Sequence, residues 1–377
     1  MRTILALLML VAAAQANEPK RTDVFVSGQE GFQTFRIPSV LVTKSRMVLA
    51  FAEGRKTRGN QSENKIVLKR NTDGGATWSA LQVIADGGKS SLNNPCAVIE
   101  QASDRVFLMY QSYPPGVCDH NKDLAPGYDS ERIVRSWLLT SDDDGKTWSQ
   151  PQDVTRSCKA ATEATTIASG PGIGIQLTRG PHTGRLIIPF NEGPFGRWNV
   201  YAVYSDNCGK TWQMGQRPPG AHVANSKGGE TSLVNEVQMV ELADGAVMLN
   251  SRSYGGKRLR KTAISQDGGV TWSPVVEDEH LREPRCMASI LRYSFDKSTL
   301  LYSGPDSSER RNGAIRVSYD EGKTWPVKKV IERGLFAYSC LTRLADDRIG
   351  CLYETGVKDS YEKIVFTTFS PNWLTTP

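Results

Sequence analysis

Three arginines sit where a charge is costly. Arg36 lies in "TFRIPSV", Arg252 in "VMLNSRSYGG" and Arg316 in "NGAIRVSYD", each inside or beside an apolar strand-like run. A guanidinium in such a place demands a partner. Two arrangements satisfy all three: separate structural ion pairs, or convergence on one strong anion. A ligand carboxylate, whose two oxygens accept bidentate bonds, suits the second. The 4 histidines and 7 cysteines show no ligand spacing, so neither a catalytic metal nor a cofactor is expected.

Elements that would bring distant strands together are written into a repeat. "NTDGGATW" (71–78), "SDDDGKTW" (141–148), "SDNCGKTW" (205–212), "SQDGGVTW" (265–272) and "SYDEGKTW" (318–325) share the pattern S-x-D-x-G-x-T-W, with Asn71 and Asn207 as departures. Asp and Ser side chains bond the backbone of a tight turn, Gly supplies positive φ, and Thr-Trp opens the outgoing strand with the indole packed beneath. Runs such as "KIVLKR", "RVFLMY", "RLIIPF", "AVMLNSR", "GAIRVSY" and "RIGCLYE" read as strands between turn signals. Helical periodicity is nearly absent. The expectation is all-β: a six-bladed β-propeller of four-stranded antiparallel sheets, five blades marked by the repeat and a divergent sixth closed by both termini. The repeats specify the fold and not the function.

Residues 1–16 read as a secretory signal: Arg2, the apolar "ILALLMLVAAA", then a small-x-small site ending at Ala16. Cleavage after Ala16 would leave residues 17–377 as a single domain, secreted or periplasmic, without membrane insertion because no later apolar run reaches spanning length. A net charge of +6, without blocks of Lys/Arg, argues against nucleic acid and is compatible with a small anionic ligand. Export permits disulfides, and Cys118–Cys158 is the pair that would bracket a polar insertion, but an odd, sparse set of cysteines reads mainly as core filler.

The chain resembles the exo-α-sialidase (neuraminidase) family of bacterial type. The likeness runs over nearly all of the segment after residue 16, through "FRIP", the five Asp-box repeats, "GPGIGIQL" (170–177) and the late "AYSCLTRL…IGCLYE". The Asp box alone is weakly specific; "FRIP" with two later arginines and "AYS…LYE" is specific. The resemblance implies that Arg36, Arg252 and Arg316 grip a sialic acid carboxylate and that Glu354 holds Arg36 in register at the substrate site. It implies Tyr338 as nucleophile and Glu236 as its base. The anomeric carbon of a sialic acid carries its own carboxylate, so a neutral phenol approaches where a carboxylate would be repelled, and its pKa of about 10 calls for a base beside it. Arg55 would lie near the sugar's 4-hydroxyl, where Asn94 of "NNPC" replaces the family's aspartate.

A second position departs from the family. The acid/base aspartate belongs on the loop before "KIVLKR", and there the chain has Asn60, or Gln61 in a register one residue along. Three readings stand together: Glu63 substitutes as the acid; Asn60 holds a water that delivers the proton; or the protein binds sialosides without cleaving them. The leading expectation is a secreted exo-α-sialidase acting with retention on sialylated glycans, glycoproteins or glycolipids. Beside it stand a trans-sialidase, an enzyme giving an anhydro product, one for a deaminated sialic acid, an acid-deficient sialoglycan-binding propeller and a purely structural Asp-box propeller. The insertion 109–139 is expected at the pocket rim, with Tyr128 or Trp137 near the aglycone; Phe195 and Trp198 are expected either at the glycerol and N-acetyl arms or as packing.

Overall fold

A computed structural model describes residues 18–376; the expected signal segment lies outside the described residues. The architecture is all-β. Among the described residues only two short helices occur, Thr155–Cys158 and Pro371–Thr375. Every run read as a strand from its sequence is one, from Lys65–Asn71 to Ile349–Gly356.

Strands pair with their sequence neighbours. The first sheet takes Thr34–Val42, Val48–Arg55, Lys65–Asn71 and Gln82–Ala85 in order. The second takes Ser91–Glu100, Arg105–Tyr113, Arg135–Ser141 and Gln152–Asp153, with Gly172–Ile173 added in parallel to its first strand. A third is built on Ile167–Ser169, Leu186–Glu192, Asn199–Ser205 and Gln213–Met214, and a fourth on Val237–Glu241, Val247–Ser251, Leu259–Ser265 and Val276–Arg282. His222–Ala224 and Glu230–Ser232 pair as a small two-stranded sheet of their own. The remaining strands form one seven-stranded sheet, continuous because Val327–Arg343, 17 residues long, pairs with Arg311–Ser318 through its first half and Ile349–Gly356 through its second. That sheet ends where Lys20–Val26 pairs antiparallel with Lys363–Phe369, so both ends of the chain share it.

The five repeats are the turns leaving each third strand. In the first, Asp73 Oδ1 accepts from the N–H groups of Ala76 (2.8 Å) and Thr77 (3.0 Å), its Oδ2 accepts the Thr77 hydroxyl (2.6 Å), and Asn71 Oδ1 accepts from Gly75 N–H (2.7 Å). Gly75 has φ +103°, and a Cβ there would lie 2.6 Å from the Phe366 ring. Asn207 keeps the same loop: its Oδ1 still accepts from Thr211 N–H at 2.9 Å, and only the hydroxyl bond reverses, the amide donating to Thr211 Oγ1 at 2.8 Å. The outgoing strand starts later than expected, at Gln82 and Gln152 rather than at the tryptophan. Each indole instead wedges between sheets: Trp78 meets Phe366 edge-on at 5.5 Å, Trp148 meets Phe51 at 5.8 Å, and Trp212 meets Phe107 at 5.9 Å. The first of these contacts joins the first sheet to the last.

All seven cysteines are free. Cys158 is sealed in an apolar cluster with Cys96, Phe107 and Tyr201, whereas Cys118 sits in the insertion with its Sγ 3.3 Å from His120 Nε2, so the pair bracketing the insertion is not joined. No helix among the described residues is long and apolar enough to cross a membrane.

Candidate active site

A cleft of about 430 Å³ opens where the inner strands of several sheets end. Three of those strands carry a β-bulge there. The register slips between Arg36 and Ser39, between Asn93 and Cys96, and between Phe336 and Ser339. Bulges re-aim side chains, and these turn Arg36, Asn94 and Tyr338 onto the cleft. The first two contain X-Pro, where the absent N–H removes a ladder bond. Ile37 and Asn94 then adopt φ of +62° and +56°. That is strained for a β-branched residue. Buried carboxylates hold the strained backbone. Glu354 Oε1 accepts from Ile37 N–H at 2.8 Å, and Glu53 Oε1 accepts from Asn94 N–H at 2.7 Å.

Arg36 is fixed on three sides. Its Nε and Nη2 donate to Glu354 at 3.0 and 2.9 Å, and its guanidinium stacks on the rings of Tyr361 and Tyr338 at 4.0 and 4.8 Å. Glu354 also accepts from Tyr338 N–H at 3.2 Å and is fully buried. Glu354 therefore lies behind the site and does not line it; its role is to hold both Arg36 and the backbone of Tyr338.

Tyr338 and Glu236 meet. The phenol donates to Glu236 Oε1, and Arg252 Nη1 donates to both, at 2.8 Å to the phenol and 2.6 Å to Glu236 Oε2. Burial pushes the Tyr338 phenol well above its usual range, and the Glu236 charge adds to this against the nearby arginines. Burial also acts to raise the Glu236 carboxyl, but Arg252, the Tyr338 hydroxyl and Arg310 outweigh it and hold that carboxyl below its ordinary value. At neutral pH the proton rests on Tyr338 and the charge on Glu236. Among the described residues the buried Arg252 Nε finds no partner, an unmet donor of the kind a ligand oxygen or water satisfies.

The third arginine is not the expected one. Arg316 pairs with Asp306 at 2.6 Å, Asp306 also takes Lys328 at 2.7 Å, and Arg316 is absent from the cleft wall. The cleft instead receives Arg310, whose guanidinium stands 5.2 Å from the Tyr338 ring centroid and donates to Tyr361 Oη at 2.7 Å and to Arg285 O at 3.1 Å. Arg310 was hidden in "SSERRNG", which reads as a solvated turn, whereas Arg316 looked conspicuous in its apolar strand. Among the described residues the wall carries five arginines, Arg36, Arg55, Arg58, Arg252 and Arg310, against two carboxyl groups, Glu236 and Asp119. Such an excess of fixed positive charge in a concave site favours an anion.

On the opposite wall Arg55 donates to Glu53 (Nε, 2.8 Å) and to Asn60 Oδ1 (3.1 Å), so Asn60 does reach the cleft, as do Gln61 and Asn94. Glu63 does not. At φ +57° it turns outward and pairs with Lys56 at 2.9 Å, with about half of its side chain exposed, which removes it as a substitute acid. Tyr128 donates to Lys159 O and Trp137 to Ser112 Oγ, and neither lines the cleft. Phe195 and Trp198 do line it, edge-on to one another at 5.7 Å and continued by Tyr254. Sequence reasoning missed Arg310, Tyr254, Tyr361, Asn93, Asp119 and the buried Glu53. Among the described residues no group of three or more His, Cys, Asp or Glu is arranged for a metal ion.

Sheets that follow one another round a cleft, arginines on its walls and a phenol bonded to a carboxylate define a propeller-like glycosidase site. Residues 46–351 match the model of the BNR repeat-like domain family. The chain is 34% identical over 367 residues to a sialidase of Micromonospora viridifaciens, covering 93% of this chain and 54% of that protein's length. It is 30% identical over 377 residues to an exo-α-sialidase of Aspergillus fumigatus, covering 91% and 86% of the two chains. The solved structure of a Hadza microbial sialidase superposes with a TM-score of 0.82 at 25% identity, over 94% of this chain and 69% of that one. The chain belongs to the exo-α-sialidase (neuraminidase) family of glycoside hydrolases.

Proposed function

We propose that the protein removes terminal sialic acids from glycoconjugates, with retention, through a covalent bond to Tyr338. The observation that carries this reading is the Tyr338–Glu236–Arg252 cluster in an arginine-walled cleft. Arg36, Arg252 and Arg310 take the sugar's carboxylate and so place its anomeric carbon over the phenol. Glu236 accepts the phenolic proton as the C–O bond forms, and its charge stabilises the oxocarbenium-like transition state. Water then releases the sugar in a second displacement at the same carbon, giving net retention. Arg55 and Asn94 face the 4-hydroxyl, while Phe195, Trp198 and Tyr254 offer an apolar wall to the remaining substituents.

The same reading takes the architecture as six blades, the seven-stranded sheet counting as two that share Val327–Arg343, in one domain exported after removal of residues 1–16. The test is incubation with sialyllactose and, separately, with an activated aryl sialoside, following product stereochemistry by NMR. A fluorinated sialosyl fluoride should leave an adduct on a peptide containing Tyr338, and labelling of any other residue sinks the nucleophile assignment. A second reading, a sialoglycan-binding protein with little hydrolysis, is favoured by Asn60 on the cleft wall and by Glu63 facing solvent. Binding of sialyllactose without release of product from either substrate selects it.

A further inference from the structure

The cleft needs a proton donor for the leaving group, and the loop expected to carry it has none. Asn60 is an amide and Glu63 faces solvent. Glu53 and Glu354 are fully buried, with hydrogen bonds to Arg55, Asn94, Arg36 and Ile37. Among the described residues lining the cleft, only Glu236 and Asp119 have a carboxyl group, and Glu236 is committed to Tyr338 and Arg252.

Asp119 belongs to the insertion between Arg105–Tyr113 and Arg135–Ser141. That insertion folds back onto the deficient loop: the backbone N–H of Asp119 donates to Gln61 Oε1 at 3.4 Å, beside Asn60. Its carboxylate lies 3.2 Å from His120 Nδ1, and its side chain is 24% exposed, open to the cleft but shielded from bulk water. The groups facing it are His120 and Cys118 from the insertion, neutral Gln61 from the loop, and the buried Tyr113, whose phenol is pushed up first by burial and then by the Asp119 charge. His120 in turn meets the cleft-lining Phe195 edge-on at 6.0 Å.

Resting on the sialidase reading, we propose that Asp119 is the general acid/base of this cleft, delivering from the insertion wall the proton that the 56–64 loop cannot. In the first step the Asp119 carboxyl protonates the glycosidic oxygen as its bond to the anomeric carbon breaks. The Tyr338 oxygen bonds that carbon, and the phenolic proton passes to Glu236. In the second step the Asp119 carboxylate takes a proton from the attacking water, the tyrosyl–carbon bond breaks, and Glu236 returns its proton to the phenolate.

The test compares wild type, Asp119→Asn and Asp119→Glu on sialyllactose and on aryl sialosides of graded leaving-group acidity, with melting curves for each. Asp119→Asn should lower kcat on sialyllactose by about 10²- to 10⁴-fold, the usual contribution of a general acid. Its loss should shrink as the leaving group becomes more acidic. Asp119→Glu should retain part of the activity, and Asn60→Asp added to Asp119→Asn should restore turnover. Equal losses on all substrates would mark Asp119 as wall structure and overturn the proposal. So would an undiminished rate on sialyllactose. Wild type that cleaves aryl sialosides but not sialyllactose keeps the sialidase reading and overturns this one. Wild type that cleaves neither overturns both.

Discussion

At the scale of single residues, the cleft separates arginines that line it from arginines that pair away from it. Arg310 stands beside Tyr338, while Arg316 closes a structural pair with Asp306. Arg310→Gln should therefore weaken kcat/KM for sialosides by about 10- to 100-fold, the worth of a hydrogen bond to a charged group. Arg316→Gln should leave kcat/KM nearly unchanged, and steady-state kinetics on both variants decide it. Arg252 has a different signature. It is the strongest of the attractions that keep the Glu236 carboxyl low against burial. In the proposed mechanism Glu236 must be ionised to accept the phenolic proton, so the acid limb of kcat/KM should fall below the ordinary glutamate value of about 4.3. Taking away the positive charge in Arg252→Gln makes the ionised form less favourable, raises that pKa and moves the acid limb to higher pH. An unmoved limb on an activated aryl sialoside would show that the limb belongs to another group.

At the scale of elements, the site is an arrangement of bulges braced from behind. Glu354 joins two inner strands, binding Arg36 and Ile37 of one and the backbone of Tyr338 in the other. Glu354→Ala would leave the buried Arg36 guanidinium without its counter-charge, a change that typically costs about 3–5 kcal/mol. The midpoint of urea unfolding should fall with its slope unchanged, and activity should fall as well, since the same carboxylate holds the backbone of Tyr338, the proposed nucleophile. Asp143→Ala separates fold from function in the other direction. It removes acceptors for Thr147 N–H at 2.9 Å and its hydroxyl at 2.6 Å, far from the cleft. Stability should drop by about 1–2 kcal/mol, as when a cap is lost, while KM stays the same. These elements also show what a sequence discloses. The five turns were legible because each hydrogen bond spans two to four residues at fixed offsets. Tyr338, Glu236, Arg36 and Arg252 were legible through motifs carried over whole. Arg316 misled because strand position alone does not say which face a side chain takes; register does, and the register of Arg311–Ser318 slips between Arg311 and Gly313 and again between Gly313 and Ala314. Asp119 escaped notice because an insertion's direction of folding has no periodic signal.

At the scale of the whole molecule, closure depends on a strand from one end of the chain. Lys20–Val26 adds to the last sheet beside Lys363–Phe369, with Val24 and Phe25 buried in the same cluster as Phe35 of the first sheet and Phe366 of the last. That strand thus contributes both a ladder and part of the seam between the first and last sheets. Removing residues 1–16 leaves it intact, so a chain beginning at Asn17 is the reference. Removing residues 1–26 deletes it. Burial of each large apolar side chain is worth about 1.5–3 kcal/mol, and Lys363–Phe369 would become an open edge offering unpaired backbone groups to other chains. The shorter chain should lose several kcal/mol of stability and aggregate on heating, with the seam nearest Arg36 and Glu354 loosening first. Calorimetry of the two truncations, with sialoside turnover measured on each, separates this from a passive terminal strand. If the chain starting at Ser27 kept both its melting temperature and its activity, closure would reside in the remaining contacts across that seam, among them Trp78–Phe366, Arg36–Glu354 and Ile37–Glu354.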